Sequence, residues 1–164
     1  MASKVTVGQK ALLVEQRKAE RDLVRRWNEV EYEYGKAERL VARSERALAR
    51  EVSVLLEGMT PRQRKAIEAK PKVAFSNRSA SGPAYAAIRR RQVYAWRIDK
   101  VRSLEARKQP RIDGQKAELE QRRAERASVA REVLAMWGDP KPLVGYSRSQ
   151  LIHMVHGRTV KPAG

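Results

Sequence analysis

Apolar side chains recur at alternating intervals of four and three residues through the first third of the chain. They are Leu23, Trp27, Val30, Tyr34, Ala37, Val41 and Leu48, with Ser44 filling the remaining position of the series. Residues 9–57 contain no proline, and Gly35 is their one glycine. Because apolar residues in a heptad repeat share one side of a helix, the spacing predicts a long N-terminal helix over residues 1–57 with a coiled-coil seam.

Turn-forming residues then mark a connector over residues 58–82. Gly58 is expected to end the long helix, and Thr60 and Pro61 are expected to begin a short one as its N-cap and first residue. The short helix is predicted to end at Ala69. After it, Pro, Gly, Asn and Ser alternate with basic side chains, a composition that is typical of an irregular loop.

Proline also divides the returning part of the chain, residues 83–137, into two predicted helices. The first begins at Pro83. Since the residue before a proline avoids the α region, a break or kink is expected at Pro110, and the second helix should cover residues 112–137.

The C-terminal extension, residues 138–164, contains several breakers of regular structure. Between Pro140 and Pro142 the chain is expected to be extended. Ser147 is expected to cap a last short helix, because a serine before a run of helix-forming residues can accept a hydrogen bond from the first turn.

These elements predict an all-α fold: an elongated antiparallel helical hairpin or coiled coil with a basic irregular tip and a short C-terminal helix. The two long helical parts have similar lengths, which suits antiparallel packing within one chain. A heptad seam also permits pairing with a second copy of the chain. Trp27 and Tyr34 are bulky for a tight parallel dimer, and this favours packing within the chain.

The distribution of charge along the chain points to a function. The net charge is +17, and residues 58–109 alone carry 14 Lys and Arg against three Asp and Glu. A concentration of one sign attracts polyanions, so we expect binding of the DNA or RNA backbone, with an acidic protein partner as the alternative. The candidate phosphate-binding residues are Lys65, Lys70, Lys72, Arg78, Arg89, Arg90, Arg91, Arg97, Lys100 and Arg102. Tyr94 and Trp96 are candidates for stacking on an unpaired base.

Catalysis and cofactor binding have little support. The chain has no cysteine, no glycine-rich phosphate loop and no HExxH or GxSxG pattern. His153 and His156 could share a helix face, but residues 140–164 contain no Asp or Glu to complete a metal site. We therefore expect that the protein is not an enzyme and that it binds neither a metal nor a cofactor. Residues 1–8 lack the apolar core of a signal peptide, so a cytoplasmic or virion-associated protein without membrane contact is expected.

Two functions follow from the sequence. The first is a non-enzymatic helical protein that binds nucleic acid mainly through phosphate contacts, with little reading of the bases because few Asn or Gln accompany the arginines. The small size of the chain, its lack of cysteine and its many arginines favour a phage or mobile-element origin. The second is a coiled-coil structural or assembly protein, such as a virion component, a scaffold or a secretion-apparatus stalk, which docks on an acidic protein.

Overall fold

The structure is a computed structural model that describes residues 7–70 and 82–158, and in these residues all regular structure is α-helical. This confirms the all-α class for the described part of the chain. Five helices are present in it: α1 (Val7–Leu55), α2 (Pro61–Ala69), α3 (Pro83–Met136), α4 (Lys141–Val144) and α5 (Arg148–Val155). Most of the predicted irregular loop, residues 71–81, lies outside the described residues.

The ends of the helices follow local chemistry. Gly58, just after α1, adopts φ +75°, a left-handed conformation that costs glycine little. The hydroxyl of Thr60 accepts from the backbone N–H of Gln63, and the Gln63 side chain accepts from the backbone N–H of Thr60. This reciprocal capping box satisfies two donors that the start of α2 would otherwise expose. The predicted N-cap at Thr60 and helix start at Pro61 are confirmed.

The sequence predicts a break or kink at Pro110. The break is wrong, because α3 runs through this residue as one helix, and the kink stays a prediction. A proline removes one backbone hydrogen bond and crowds the preceding turn. Ile112 is 3% exposed and Val101 is 1% exposed, so apolar burial on both sides of Pro110 holds the helix together. The Gln109 side chain also donates to Asp113 Oδ1 at 2.9 Å across the proline.

The expectation of extended chain between Pro140 and Pro142 is also wrong. Pro140 adopts φ −78° and ψ −9°, and α4 begins at the next residue. A proline in the first turn of a helix lacks only a donor that would be unpaired there in any case, and the Asp139 carboxylate accepts from the Lys141 N–H at 3.2 Å. The predicted cap at Ser147 is confirmed by its capping box with Gln150.

By its contacts, the chain divides into two compact units. Unit 1 comprises residues 1–40 and 115–164, and unit 2 comprises residues 41–114. In unit 1, Arg26 pairs with Glu132 and Glu31 with Arg126, so residue numbers fall along α3 as they rise along α1. In unit 2, the pairing of Glu51 with Lys108 and of the Glu57 carbonyl with Arg97 has the same direction. Within each unit α1 and α3 therefore run antiparallel, as the two helices of a hairpin do.

The core of unit 1 surrounds the Trp27 ring, which is 1% exposed. Val129, Ala130 and Val133 reach it from α3. Leu151 and Met154 of α5 join the same cluster, and Tyr146 meets Trp27 edge to face with ring centroids 5.6 Å apart. The C-terminal helix is therefore an integral part of this core.

Unit 2 is built from the end of α1, from α2 and from the first part of α3. Its buried apolar residues are Val41, Leu48, Ile67, Ile98, Val101 and Ile112. Of the residues predicted for the seam of α1, Leu23, Trp27, Val41 and Leu48 are buried, and Val30, Tyr34 and Ala37 are half-buried.

Candidate nucleic-acid interface

The structure describes eight of the ten predicted phosphate-binding residues, since Lys72 and Arg78 lie outside the described part of the chain. All eight belong to unit 2. They fall into an exposed and a half-buried group. The exposed ones are Lys65, Lys70, Arg89, Arg90, Lys100 and Arg102. The half-buried ones are Arg91 and Arg97.

The half-buried arginines are occupied by the protein's own backbone. Arg91 Nη2 donates to the carbonyl of Lys70 at 3.0 Å and to that of Ala66 at 3.4 Å, at the end of α2. Arg97 Nη1 donates to the Glu57 carbonyl at 3.1 Å, just after α1. The last carbonyls of a helix lack partners within the helix and carry partial negative charge. The Arg91 guanidinium therefore stabilises the end of α2, and the Arg97 guanidinium stabilises the turn that follows α1.

Tyr94 shares this structural role. Its hydroxyl donates to the Gly58 carbonyl at 3.2 Å, and the Arg97 guanidinium lies 5.9 Å from the centre of its ring. Tyr94 is half-buried, whereas the other predicted stacking residue, Trp96, is 56% exposed. Of the two aromatic side chains, Trp96 is the one whose surface is open to a ligand.

The exposed cations have few partners. Among residues 7–70 and 82–158, the side chains of Lys65, Arg89 and Arg90 form no ion pair and no hydrogen bond. Arg102 is 3.9 Å from the Asp99 carboxylate, and both side chains are exposed, so water screens this contact strongly. The Lys100 ammonium lies 5.5 Å from the centre of the Trp96 ring. These charges are available to an anion from solution.

Several of these residues form an outer stripe on α3, opposite the buried Ile98 and Val101. The stripe consists of Arg89, Val93, Trp96, Lys100, Ser103 and Arg107, which follow one another at intervals of four and three and are all exposed. At 1.5 Å per residue it is about 27 Å long. Arg89, Lys100 and Arg107 therefore face the same side of the helix, with Trp96 between them.

A groove borders this stripe in unit 2, between the end of α1 and α3, with a volume of about 730 Å³. Its apolar side chains are Val54, Leu55, Trp96 and Leu104, and its basic ones are Arg50, Lys100 and Arg107. We call it the Trp96 groove. Arg50 and Arg107 were not among the predicted site residues, because the prediction followed runs of charge along the chain. The four- and three-residue spacing from Arg89 to Arg107 was the signal that could have found Arg107.

Tyr146 and Arg122, both in unit 1, have shifted pKa values. Burial and the adjacent Glu31 carboxylate raise the pKa of Tyr146 to about 12. A hydrogen bond to Glu125 and the charge of that carboxylate raise the pKa of Arg122. Glu31, Arg126 and Tyr146 form a network that joins α1, α3 and the chain just before α5, whereas Arg122 pairs with Glu125 within α3.

Two further properties concern metals and membranes. The described residues contain no group of three or more His, Asp or Glu side chains that could hold a metal ion. His153 lies half-buried in α5, and its Nδ1 is 3.5 Å from Arg158 Nη1, while His156 is exposed at the helix end. None of the helices seen in residues 7–70 and 82–158 is long and apolar enough to cross a membrane.

Comparison of the chain with protein-family models, with curated proteins and with solved structures finds no match in any of the three.

Proposed function

We propose that this chain is a non-enzymatic nucleic-acid-binding protein that contacts mainly the phosphate backbone of DNA or RNA through unit 2. The observation that carries the proposal is the availability of exposed cations there. Lys65, Arg89 and Arg90 are exposed, and nothing in the described part of the chain neutralises them. Exposed, unpaired cations suit the charge of a phosphate backbone, and they need no geometry specific to one base sequence.

The predicted interface is narrower than the basic segment as a whole. Arg91 and Arg97 already donate to backbone carbonyls, so the interface is assigned to Lys65, Arg89, Arg90 and the basic members of the outer stripe. The proposal includes two finer points. The seam of α1 has coiled-coil character, and residues 58–82 form a basic tip.

The experiment is a salt titration of binding. Fluorescence anisotropy measures the affinity of the full chain for a labelled duplex between about 50 mM and 200 mM salt. The triple variant Lys65→Ala/Arg89→Ala/Arg90→Ala should weaken binding, and it should reduce the slope of log K against log salt by roughly 2–3, since each lost phosphate contact removes about 0.9.

A matched control separates position from total charge. Lys10→Ala/Arg17→Ala/Lys18→Ala removes the same number of exposed cations from α1 in unit 1. This variant should keep most of the wild-type slope. Equal effects of the two triple variants would contradict the assignment to unit 2, and the absence of binding by the wild-type chain would contradict nucleic-acid binding itself.

A structural or assembly role is the second candidate, and the first turns of α1 favour it. Residues 8–19 are all exposed, and Leu12, Leu13 and Val14 are 60%, 47% and 63% exposed. Adjacent exposed apolar side chains are typical of a surface that another protein covers. Light scattering should then give a mass above that of one chain, and Leu12→Ser/Val14→Ser should return it to the mass of one chain. A single-chain mass in both proteins would contradict self-assembly through this surface.

A further inference from the structure

The Trp96 groove combines exposed apolar surface with unpaired positive charge. Val54 is 69% exposed and Trp96 is 56% exposed, and the two lie in one concave site rather than scattered over the surface. A single exposed apolar side chain is common in soluble proteins. A group of them that shares a groove is typical of a binding site.

The charges around the groove favour an anionic occupant. Glu51 is its one acidic lining residue, and that carboxylate already accepts from Lys108 Nζ at 2.5 Å. Neither Arg50 nor Arg107 has an ion pair or side-chain hydrogen bond among the described residues. The groove therefore has uncompensated positive charge beside an apolar floor.

The ring of Trp96 has a cation over its face and is not enclosed. The Lys100 ammonium, 5.5 Å from the ring centre, attracts the electron-rich face of the indole. The same ammonium places positive charge within reach of a phosphate attached to a group on that ring. An exposed aromatic ring with cations along its helix is the combination that binds unpaired bases together with their backbone.

We infer that the Trp96 groove binds a short single-stranded segment of nucleic acid, with an unpaired base against Trp96 and phosphates near Arg50, Lys100 and Arg107. The inference rests on the proposed function and adds a substrate class to it. In a duplex the flat faces of the bases are stacked on one another, so a duplex can use the cations but not the ring. Single strands should therefore bind this protein more tightly than duplexes of equal length.

The size of the apolar floor supports a few bases rather than a protein helix. Trp96 and Leu104 are eight residues apart on α3, which is about 12 Å, room for roughly three bases at ~3.4 Å each. An amphipathic helix docks with apolar anchors over two or more turns. An acidic helical peptide is therefore the less favoured occupant, and it serves as a competitor in the test.

The test compares Trp96→Ala and Trp96→Phe with the wild-type chain, using anisotropy with a labelled oligothymidine and with a labelled duplex of equal length. Trp96→Ala should weaken single-strand binding by roughly 10- to 100-fold, the effect of losing one base stack, and should change duplex binding by less than about twofold, because phosphate contacts remain. Trp96→Phe should restore most of the affinity. Val93→Ala, which removes another exposed apolar side chain of the outer stripe, is the matched control and should have no effect.

The outcomes separate this inference from the proposed function. If Trp96→Ala weakens single-strand and duplex binding equally or neither of them, the groove does not stack a base, while backbone binding stands. If an acidic amphipathic peptide binds in a Trp96-dependent way and the oligothymidine does not, the occupant is a protein. If neither nucleic acid binds the wild-type chain, the proposed function fails as well.

Discussion

The two units contain the same number of cations but use them differently. The described residues of unit 1 hold 16 Lys and Arg with 12 Asp and Glu, whereas those of unit 2 hold 16 with seven. In unit 1, Arg126 is 7% exposed and pairs in a bidentate way with Glu31, Nε to Oε2 at 2.6 Å and Nη2 to Oε1 at 2.8 Å. In unit 2, Lys65, Arg89 and Arg90 remain exposed and without partners among the described residues.

This difference shows how one residue type can serve stability in one unit and remain available for binding in another. The Arg126 guanidinium lies 4.5 Å from the centre of the Tyr34 ring and 5.6 Å from that of Tyr146. The Tyr146 hydroxyl donates to Glu31 Oε1 at 2.5 Å. A charge so enclosed contributes to a specific packing arrangement but cannot reach a ligand. Neutralising cations in the two units should therefore affect different measurements.

The largest effect is expected from the core of unit 1. Trp27→Ala should lower the free energy of unfolding by about 3–5 kcal/mol, because the ring is fully buried and its removal leaves a cavity that the neighbouring side chains cannot fill. Urea denaturation followed by circular dichroism measures this change. A loss below about 1 kcal/mol, the scale of an exposed position, would show that Trp27 does not organise the core.

The buried ion pair of unit 1 should give the next largest effect. Arg126→Met should destabilise the protein by about 2–4 kcal/mol, since Glu31 and Tyr146 lose the charge that compensates them. The same urea measurement on Glu31→Gln and on the double variant completes a double-mutant cycle. The double variant should lose much less than the sum of the single losses. Strict additivity would contradict a coupled network.

High pH should weaken unit 1 through Tyr146. Its pKa is about 12 in the folded chain against an ordinary value of 10, so its neutral form stabilises the fold fully below pH 10. As the pH rises from 10 to 12, the unfolded chain loses its proton first, and this contribution disappears. Tyr146→Phe should cost about 1–2 kcal/mol at neutral pH, and urea denaturation should show a shallower alkaline loss than in wild type. Parallel pH curves would contradict the assignment.

The helix boundaries could be predicted from sequence where a local signal is complete. Thr60, Pro61 and Gln63 contain within four residues everything that the start of α2 needs, and the prediction there is confirmed. Pro110 shows the limit of local rules. The cost of the proline was correctly recognised, but the burial of Val101 and Ile112, which outweighs it, depends on side chains brought from elsewhere in the chain.

The positive charge of the candidate interface could be predicted from the sequence, but the residues that are exposed in it could not. An excess of cations is visible in the composition of residues 58–109, yet nothing in the sequence distinguishes Arg90, which is exposed, from Arg91, which caps α2. Which arginine meets a carbonyl depends on where the ends of two other helices lie. The Trp96 groove is a further example, because Arg50 and Arg107 are 57 residues apart and line it together only after folding.

The smallest effect on stability is expected from the exposed cations of unit 2. Arg89→Ala/Arg90→Ala should change the free energy of unfolding by no more than about 0.5 kcal/mol, and at low salt the change should be stabilising, because two unpaired like charges are removed from a basic surface.

Arg26→Ala in unit 1 is the control. It breaks an exposed pair with Glu132, with N–O distances of 2.7 and 3.1 Å, and should destabilise by roughly 0.5–1 kcal/mol. Added salt should shrink both changes, since exposed charges are screened. Urea denaturation at two salt concentrations therefore distinguishes the units by sign. A clear loss of stability in the Arg89/Arg90 variant would mean that these cations hold the fold, and they would then no longer count as free for binding.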